Sequence, residues 1–283
     1  MSKFSCLVRF RALRGGIHYG EAGKSDSHSA DSLIGRLVPV FHGKTPWDDD
    51  FVLTEELEEI LEVLCPLPHV PIFWCVGLNY KQHAEEAKMN PGEYPTIFVK
   101  PPDALAGPFE DIPIPPICLS LDYEAELCVI IGQDCKDLKP SDKISEYILG
   151  YSAGNDVSSR WWQMPERSNH QHGVAKSFDK FAPIGPVITS TSVIPDPKKL
   201  TMKCLVNGVK RQEALIADQI FDIETLLVFL TKGKTLRKGT VIMTGTPSGV
   251  AAFLKPPKWL QDGDVVEVNV EEIGSIRNKF LFG

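Results

Sequence analysis

One short acidic stretch, residues 121–132, limits what this chain can fold into more than any other part of its sequence. Acidic residues open it, and a largely β-branched apolar run that ends at Gly132 follows them. Such a run predicts a β-strand that enters a hydrophobic core. Because strand side chains alternate between two faces, Glu124 and Glu126 are expected to point the same way.

Two neighbouring carboxylates at the mouth of a buried strand repel each other unless a cation neutralises them. Hard divalent ions take oxygen ligands, and Mg²⁺ is usually held by a few carboxylates while it keeps water molecules. The pair Glu124 and Glu126 therefore predicts a metal site. The alternative is a solvated strand end, because two glutamates at this spacing also occur by chance.

The composition is that of an ordinary globular protein and argues against several functions. The chain has 283 residues, of which 43% are hydrophobic and 24% charged, which fits one large domain or one domain with a smaller one. A net charge of -7 argues against nucleic acid and anionic lipid as partners. A mean hydropathy of -0.08, without a long uncharged apolar run, argues against a membrane helix. A small-molecule substrate is therefore expected.

The seven cysteines are scattered and contain no C-x-x-C pair. Several lie within apolar runs, so we expect reduced thiols in a hydrophobic core and a cytoplasmic location. A mitochondrial location is the alternative, because several basic residues precede the first acidic residue, Glu21. These basic residues are Lys3, Arg9, Arg11 and Arg14.

Residues 1–70 are predicted to form a small α+β N-terminal domain, and residues 71–283 a larger catalytic domain. In the first, a strand at residues 5–10 is followed by a turn at Gly15-Gly16 and a return strand at residues 17–20. Apolar residues at helical spacing predict an amphipathic helix over residues 54–64, with Thr54 as its N-cap.

Two further features of the larger domain are candidates for chemistry. His83 and Glu86 are three apart on a predicted helix, so their side chains meet on one face. A glutamate beside a histidine can orient the imidazole and make it a better general base, although a surface His–Glu pair is the alternative. Asp156 lies at the tip of a strand predicted over residues 151–158, where catalytic and metal-binding acids are common.

The remaining sequence is β-rich. It predicts a hairpin turning at Asn207-Gly208, a final strand pair over residues 265–270 and 275–280, and a helix over 222–230 capped by Asp222. A short helix is expected over residues 139–146, and the Gly/Thr/Pro loop after residue 243 offers N–H groups and hydroxyls to an anion. His170 and His172 suggest zinc only weakly, because no cysteine or third histidine is near in sequence.

Taken together and in this order, five motifs resemble the fumarylacetoacetate hydrolase superfamily over roughly residues 73–281. The resemblance implies an α+β fold with a mixed β-roll, usually dimeric, with one Mg²⁺ or Mn²⁺ in each subunit. The matching stretches are residues 76–80 with His83 and Glu86, residues 123–127, 154–158, 175–179 and 244–250.

The resemblance also assigns roles to individual residues. Glu124, Glu126 and Asp156 resemble the metal ligands of the family. His83 and Glu86 match a catalytic dyad on a mobile lid helix. Lys176 matches the active-site lysine, and the positions that would hold the substrate carboxylate are Lys100, Arg160, Gln163 and Thr246.

This constellation predicts chemistry on a β-dicarbonyl or 2-oxo diacid through an enolate that the metal stabilises. Reprotonation would make the protein a tautomerase, loss of a β-carboxylate a decarboxylase, and attack of water on a distal carbonyl a C–C hydrolase. Leu78 stands where some relatives carry arginine, and residues 161–172 differ from the usual sequence. A specialised β-diketone hydrolase or isomerase is therefore one alternative; a non-catalytic metal-binding member and a zinc hydrolase are others.

Overall fold

The computed structural model describes residues 3–25 and 27–283. Its β-strands are β1 Cys6–Ala12, β2 Ile17–Glu21, β3 Leu37–His42, β4 Val52–Val63, β5 Phe73–Gly77, β6 Thr96–Lys100, β7 Leu105–Ala106, β8 Ile112–Ile114, β9 Leu121–Asp122, β10 Ala125–Ile131, β11 Cys135–Lys136, β12 Ile148–Asn155, β13 Ser158–Ser159, β14 Ala182–Thr189, β15 Thr201–Val206, β16 Val209–Leu215, β17 Thr235–Leu236, β18 Val241–Met243, β19 Val265–Val270 and β20 Gly274–Phe282.

Helices are few and short. The α-helices are α1 Ala30–Leu33, α2 Lys81–Ala87, α3 Arg160–Gln163, α4 Pro165–Ser168, α5 Gly173–Lys176 and α6 Ile223–Thr231. Single 3₁₀ turns cover Pro102–Ala104, Ile144–Tyr147, Pro197–Lys199, Ile216–Asp218 and Ala251–Phe253. Among the described residues, no helix has the length and apolar character needed to cross a membrane.

The first four strands close into a ring, because β1 pairs with both β2 and β4 while β3 pairs with β2 and β4. Phe10, Val38 and Ile60 are buried together in one cluster of the hydrophobic core. Strand β1 then continues beyond the ring and pairs with β14, with Cys6 opposite Thr189. The N-terminal strands therefore belong to the same extended sheet as β14, β12 and β10, and the division at residue 70 stays a prediction.

The helix predicted over residues 54–64 is wrong, because this segment is strand β4. Leu57, Ile60 and Leu61 do recur at helical spacing, but the strands on either side satisfy the backbone of the segment. Irregular register in both pairings, beside Ala12 and between Pro39 and Phe41, also breaks the strict alternation that marks a strand. The predicted turn and return strand after β1 are confirmed.

The larger sheet continues in the order β14, β12, β10, β18, β5, β6. Strands β10, β12 and β14 are covered on both faces and consist almost entirely of buried residues. Glu126 on β10 lies opposite Gly154 on β12, and Ala125 opposite Asn155. This register brings the acidic end of β10 beside the tip of β12, where Asp156 follows.

A second sheet, in the order β16, β15, β19, β20, β8, carries buried side chains such as Met202, Val268 and Ile276. The predicted hairpin is confirmed, since Asn207 and Gly208 both have positive φ between β15 and β16. The final strand pair is confirmed as β19 and β20. The two sheets make the protein an α+β fold of the mixed β-roll type.

The predicted helix at residues 222–230 is confirmed as α6, whose N-cap Asp222 accepts a hydrogen bond from the backbone N–H of Thr225 at 2.9 Å. The helix predicted over residues 139–146 is wrong. There Asp142 closes a turn by accepting the N–H of Lys139, and only one 3₁₀ turn follows. All seven cysteines are free and buried, as expected.

Candidate active site

Three buried carboxylates come together where β10 and β12 meet. Glu124, Glu126 and Asp156 each place a carboxylate oxygen within 4.8 Å of the others. Backbone bonds fix them, because the N–H of Asp156 donates to the carbonyl of Glu124 at 2.9 Å and the N–H of Gly245 donates to Oε2 of Glu126 at 2.6 Å. These are the three residues that the sequence motifs had grouped.

The electrostatics of this cluster fit a hard divalent cation. Burial, and then the neighbouring Asp156 and Glu124, raise the pKa of Glu126 well above its usual value. A divalent cation bound by these oxygens would remove that repulsion. Three carboxylates leave other coordination positions of the ion to water or substrate, which is a typical donor set for Mg²⁺. The residues present therefore fit the metal that the motifs imply.

Lys176, at the end of α5, is buried against two of the carboxylates. Its Nζ lies 2.8 Å from Oε2 of Glu124 and 2.6 Å from Oδ2 of Asp156. Burial alone would lower the pKa of Lys176, but these two carboxylates raise it above its usual value. Burial would likewise raise the pKa of Glu124, but Lys176 and Arg160 hold it well below its usual range. Lys176 is therefore a fixed positive charge beside the carboxylates.

Lys100 is close to the same cluster but on its far side. Its fully buried Nζ lies 2.5 Å from Oδ1 of Asp156 and also donates to the carbonyls of Val157 and Phe181. Lys100 is absent from the cavity wall described below. This position does not support the predicted contact of Lys100 with the substrate carboxylate. Lys100 instead binds Asp156 and can orient its carboxylate.

Arg160, at the start of α3, does line the cavity. Its Nε lies 2.8 Å from Oδ2 of Asp122, and its Nη2 lies 2.6 Å from Oε1 of Glu124. Its Nη1 donates to Oε1 of Gln163 at 2.7 Å. Burial would lower the pKa of Arg160, but the two carboxylates raise it further above its usual value, so the guanidinium stays charged.

His83 and Glu86 form the pair that their spacing predicts. On α2, Nδ1 of His83 lies 3.1 Å from Oε2 of Glu86, whose carboxylate also accepts the N–H of Gly249 at 3.0 Å. His83 is buried and lines the cavity, and its ring meets that of Phe253 edge-on at 5.6 Å. With Nδ1 held by Glu86, the other ring nitrogen is available for proton transfer.

Thr246 completes the polar part of the wall from the loop after β18. It is buried, and its Oγ1 accepts a hydrogen bond from Nε2 of Gln212 at 2.8 Å. The neighbouring Gly245 has a φ of 103°, and a Cβ there would lie 2.6 Å from the Cβ of Asn79. The loop thus needs glycine at this position to pass between Asn79 and Glu126.

Three residues that hold the site were not singled out from the sequence. Asp122 accepts the N–H groups of Ala251 and Ala252 as well as binding Arg160. Asn155 accepts the N–H of Glu124, and Gln212 accepts that of Ala125. Asp122 directly precedes one matching motif and Asn155 lies within another, which was an available signal, whereas Gln212 comes from a distant hairpin and offered none.

Glu124 lines a cavity of about 830 Å³, with carboxylate oxygens of Glu126 and Asp156 within 4.8 Å of its own. Its polar wall includes Glu124, Arg160, Gln163, Lys176, Thr246 and His83, and much of the remainder is apolar, including Leu78, Met89, Tyr94, Phe98, Phe253 and Trp259. Leu78 has a left-handed backbone, with φ 53°, three residues before α2 begins.

The zinc hypothesis gains no support from the arrangement of the two histidines. His170 is exposed, and Nδ1 of His172 lies 2.6 Å from Nε2 of Gln163. Within the described ranges, the carboxylate cluster is the group of three or more residues that could hold a metal ion.

A cluster of three carboxylates that can hold a divalent cation, beside a lysine and a His–Glu pair, is typical of enzymes that use a metal ion on small molecules. The C-terminal domain model of fumarylacetoacetate hydrolase matches residues 72–281. The chain belongs to this family.

Individual relatives agree. A Dictyostelium discoideum fumarylacetoacetate hydrolase domain-containing protein 2 homolog is 43% identical over 213 residues, covering 72% of this chain and 69% of that protein. The mitochondrial oxaloacetate tautomerase Fahd2a of Rattus norvegicus is 38% identical over 218 residues, covering 77% and 69%. The crystal structure of 2-hydroxyhepta-2,4-diene-1,7-dioate isomerase from Mycobacterium marinum superposes with a TM-score of 0.81, at 28% identity and 98% coverage of both chains.

Proposed function

We propose that the protein is a Mg²⁺-dependent enzyme, also served by Mn²⁺, that interconverts the keto and enol forms of a 2-oxo diacid or related β-dicarbonyl acid. The observation that carries this is the placement of His83 on the same cavity as Lys176 and Glu124, whose carboxylate clusters with those of Glu126 and Asp156. Tautomerisation needs one group that moves a proton and fixed charges that stabilise the enolate. This cavity has both.

Glu124, Glu126 and Asp156 would hold the metal. When bound, it supplies Lewis-acid stabilisation of the negative charge that develops on the substrate oxygens. The ammonium of Lys176 lies within 2.8 Å of two of these carboxylates, which fixes a second positive charge at the same point.

His83 moves the proton in this proposal. Glu86 holds Nδ1, so the opposite ring nitrogen is the one that takes a proton from the carbon between the two carbonyl groups and delivers it to the enolate oxygen, with the reverse transfers regenerating the keto form. The N–H of Gly249 holds Glu86 in turn. Phe253 packs against the imidazole and limits its rotation.

Arg160, Gln163 and Thr246 would bind a substrate carboxylate. Arg160 keeps its charge beside the cavity although Asp122 and Glu124 already hold two of its nitrogens. The names of the rat and Mycobacterium marinum relatives support a diacid, since oxaloacetate and a 1,7-dioate each carry two carboxylates.

A second candidate is hydrolysis of a C–C bond in an acylpyruvate or fumarylacetoacetate-like substrate. The size of the cavity, about 830 Å³ with many apolar side chains, favours it because a four-carbon diacid fills only a small part of such a volume. The same His83 would then activate water against the distal carbonyl.

Parallel assays separate these reactions. Oxaloacetate, an acylpyruvate and fumarylacetoacetate are each supplied with Mg²⁺, and the enol absorbance and the products are followed. Loss of enol without new products supports tautomerisation, pyruvate with CO₂ supports decarboxylation, and two acids support hydrolysis. Turnover that persists at full rate after chelation, with no metal left on the protein, contradicts the proposal.

Assembly and location follow the same family pattern in this proposal. We expect a homodimer, which light scattering would show. The cytoplasm stays the predicted location, and the name of the rat relative makes the mitochondrion the alternative to test by fractionation.

A further inference from the structure

A chain of hydrogen bonds runs from the carboxylate cluster along one wall of the cavity to His172. Glu124 binds Nη2 of Arg160 at 2.6 Å, and Nη1 of Arg160 donates to Oε1 of Gln163 at 2.7 Å. Nε2 of Gln163 then lies 2.6 Å from Nδ1 of His172. The sequence motifs gave His172 no place in this wall.

The direction of each bond in this chain is fixed by chemistry. Arginine has donors and no acceptor, so the amide of Gln163 must turn its oxygen toward Arg160 and its NH₂ toward His172. Nδ1 of His172 must therefore accept, which places the ring proton on Nε2. Burial, and then the charge of Lys176, lower the pKa of His172, which favours the same neutral ring.

The Nε2–H that results has a restricted set of partners. His172 lines the cavity and its ring lies against Phe98, with ring centres 5.2 Å apart. In the part of the chain that the structure describes, no hydrogen-bond acceptor is recorded for this nitrogen. It is a neutral donor with a fixed tautomer on a partly buried wall, and a cavity ligand is its available acceptor.

Building on the proposed function, we propose that His172 binds the substrate by donating its Nε2–H to an oxygen beyond C3, the distal carboxylate of a 2-oxo diacid. Arg160 and Gln163 connect this donor to the carboxylate cluster, so one rigid network would contact both ends of the substrate. A 2-oxo acid that ends in a methyl group would leave the donor unpaired and bind more weakly.

Two variants separate the hydrogen bond accepted at Nδ1 of His172 from the one donated by its Nε2. His172→Asn places an oxygen near the position of Nδ1, which still accepts from Gln163, but it lacks the far donor. His172→Gln carries an NH₂ that reaches the position of Nε2. The matched control is His69→Asn, because His69 is exposed and lies outside the cavity wall.

Each variant is assayed with oxaloacetate, by loss of enol absorbance, and with 2-oxobutanoate, by deuterium exchange at C3. For His172→Asn we expect kcat/KM for oxaloacetate to fall about 10- to 100-fold, mainly through KM, because a hydrogen bond to a charged acceptor is lost. The value for 2-oxobutanoate should stay unchanged. His172→Gln should recover much of the loss, and His69→Asn should match the wild type on both acids.

Binding gives the same comparison without turnover. Calorimetry with the Mg²⁺-loaded protein uses malate and 2-hydroxybutanoate, which are stable and differ at the same distal group. If the wild type turns over neither 2-oxo acid, the proposed function fails, but weaker binding of malate alone by His172→Asn still supports the role of His172. Equal losses for both ligands, or no loss for either, would overturn that role. If His172→Asn has a lowered melting temperature, the role of His172 is decided by whether His172→Gln binds malate as the wild type does.

Discussion

The two walls of the candidate site are held in place by different means. The strand wall, Glu124, Glu126 and Asp156, lies at the ends of β10 and β12, which pair with each other and with strands on both sides. The helix wall is carried by α2, α3, α4 and α5, none longer than seven residues and none with a side-chain N-cap bond. Its residues are His83, Glu86, Arg160, Gln163, His172 and Lys176.

The difference lies in which bonds set the geometry. On the strand wall, the paired ends of β10 and β12 place the backbone of the three acidic residues, and neighbouring cations then bind two of the carboxylates. On the helix wall, side-chain contacts set the positions of the residues, such as the ion pair of Arg160 with Asp122 and the hydrogen bond from the N–H of Gly249 to Glu86. Substitutions should therefore change the chemistry of the strand wall without moving it, whereas on the helix wall they should also displace their neighbours.

The largest effect is expected for Glu126→Gln on the strand wall. The amide keeps the shape of the side chain but removes a ligand charge, so metal binding and turnover should be lost while the fold survives. We expect activity to fall by more than about 100-fold, because even outer-shell partners of metal ligands cost about 10- to 100-fold.

The readout for Glu126→Gln is the melting temperature with and without Mn²⁺. A ligand that binds the folded state alone raises it, so the wild type should shift and the variant should not. Retained activity with bound metal would refute the ligand assignment and the contrast between the walls.

His83→Ala on the helix wall should leave metal binding intact and reduce turnover by about 100- to 10,000-fold, the usual contribution of a general acid–base group. The metal-dependent melting shift provides the control within the same sample. A rate equal to that of the wild type would exclude the proposed proton transfer by His83.

Asp122→Asn tests whether side-chain bonds hold the helix wall. Asp122 is fully buried and pairs with Arg160, so loss of its charge should lower the free energy of unfolding by about 3 kcal/mol, as expected when one partner of a buried ion pair is removed. Urea denaturation measures this.

The matched control for Asp122→Asn is Asp134→Asn, which breaks an exposed pair with Arg237 and should cost at most about 1 kcal/mol. Equal losses in the two variants would mean that Asp122 does not anchor the wall.

The smallest effect is expected at Asp222, the N-cap of α6, outside both walls. Asp222→Ala should cost about 1 kcal/mol of stability and leave the kinetics unchanged, whereas Asp222→Asn should keep the cap.

At acidic pH, the difference in unfolding free energy between the wild type and Asp222→Ala should become smaller. Burial would raise the pKa of Asp222, but bonds from Lys198 and Thr225 lower it. Its charge therefore stabilises the fold above the usual pKa of aspartate, about 4, and this contribution is lost as the pH falls further. A difference in unfolding free energy that stays constant through acid would contradict this account.

Sequence patterns predicted the strand wall better than its surroundings, for a physical reason. Strand alternation places Glu124 and Glu126 on one face and a strand tip marks Asp156, which are local properties, and the resemblance to the family groups the three as metal ligands. The strand β4 was missed because pairing with β1 and β3 overrides a helical spacing. The position of Lys100 behind Asp156 could not be predicted, since it depends on how β6 packs against the segment after β12.

The place of His172 was also beyond the sequence, because its role depends on a hydrogen-bond direction set by Arg160, twelve residues earlier in the chain. The motifs supplied Arg160 and Gln163 individually. Only the three-dimensional arrangement shows that the two residues and His172 form one oriented chain.

The pairing of β1 with β14 has a consequence for how this protein can be divided. Cys6 and Leu7 provide the backbone partners for Thr189 and Ile188, and the N–H of Ser190 donates to Ser5 beside them. A protein engineered to begin at residue 71 would expose this edge of β14, and an open edge is a template for strands of other molecules. Such a truncation should therefore aggregate or exchange strands, although it would retain every residue of the cavity.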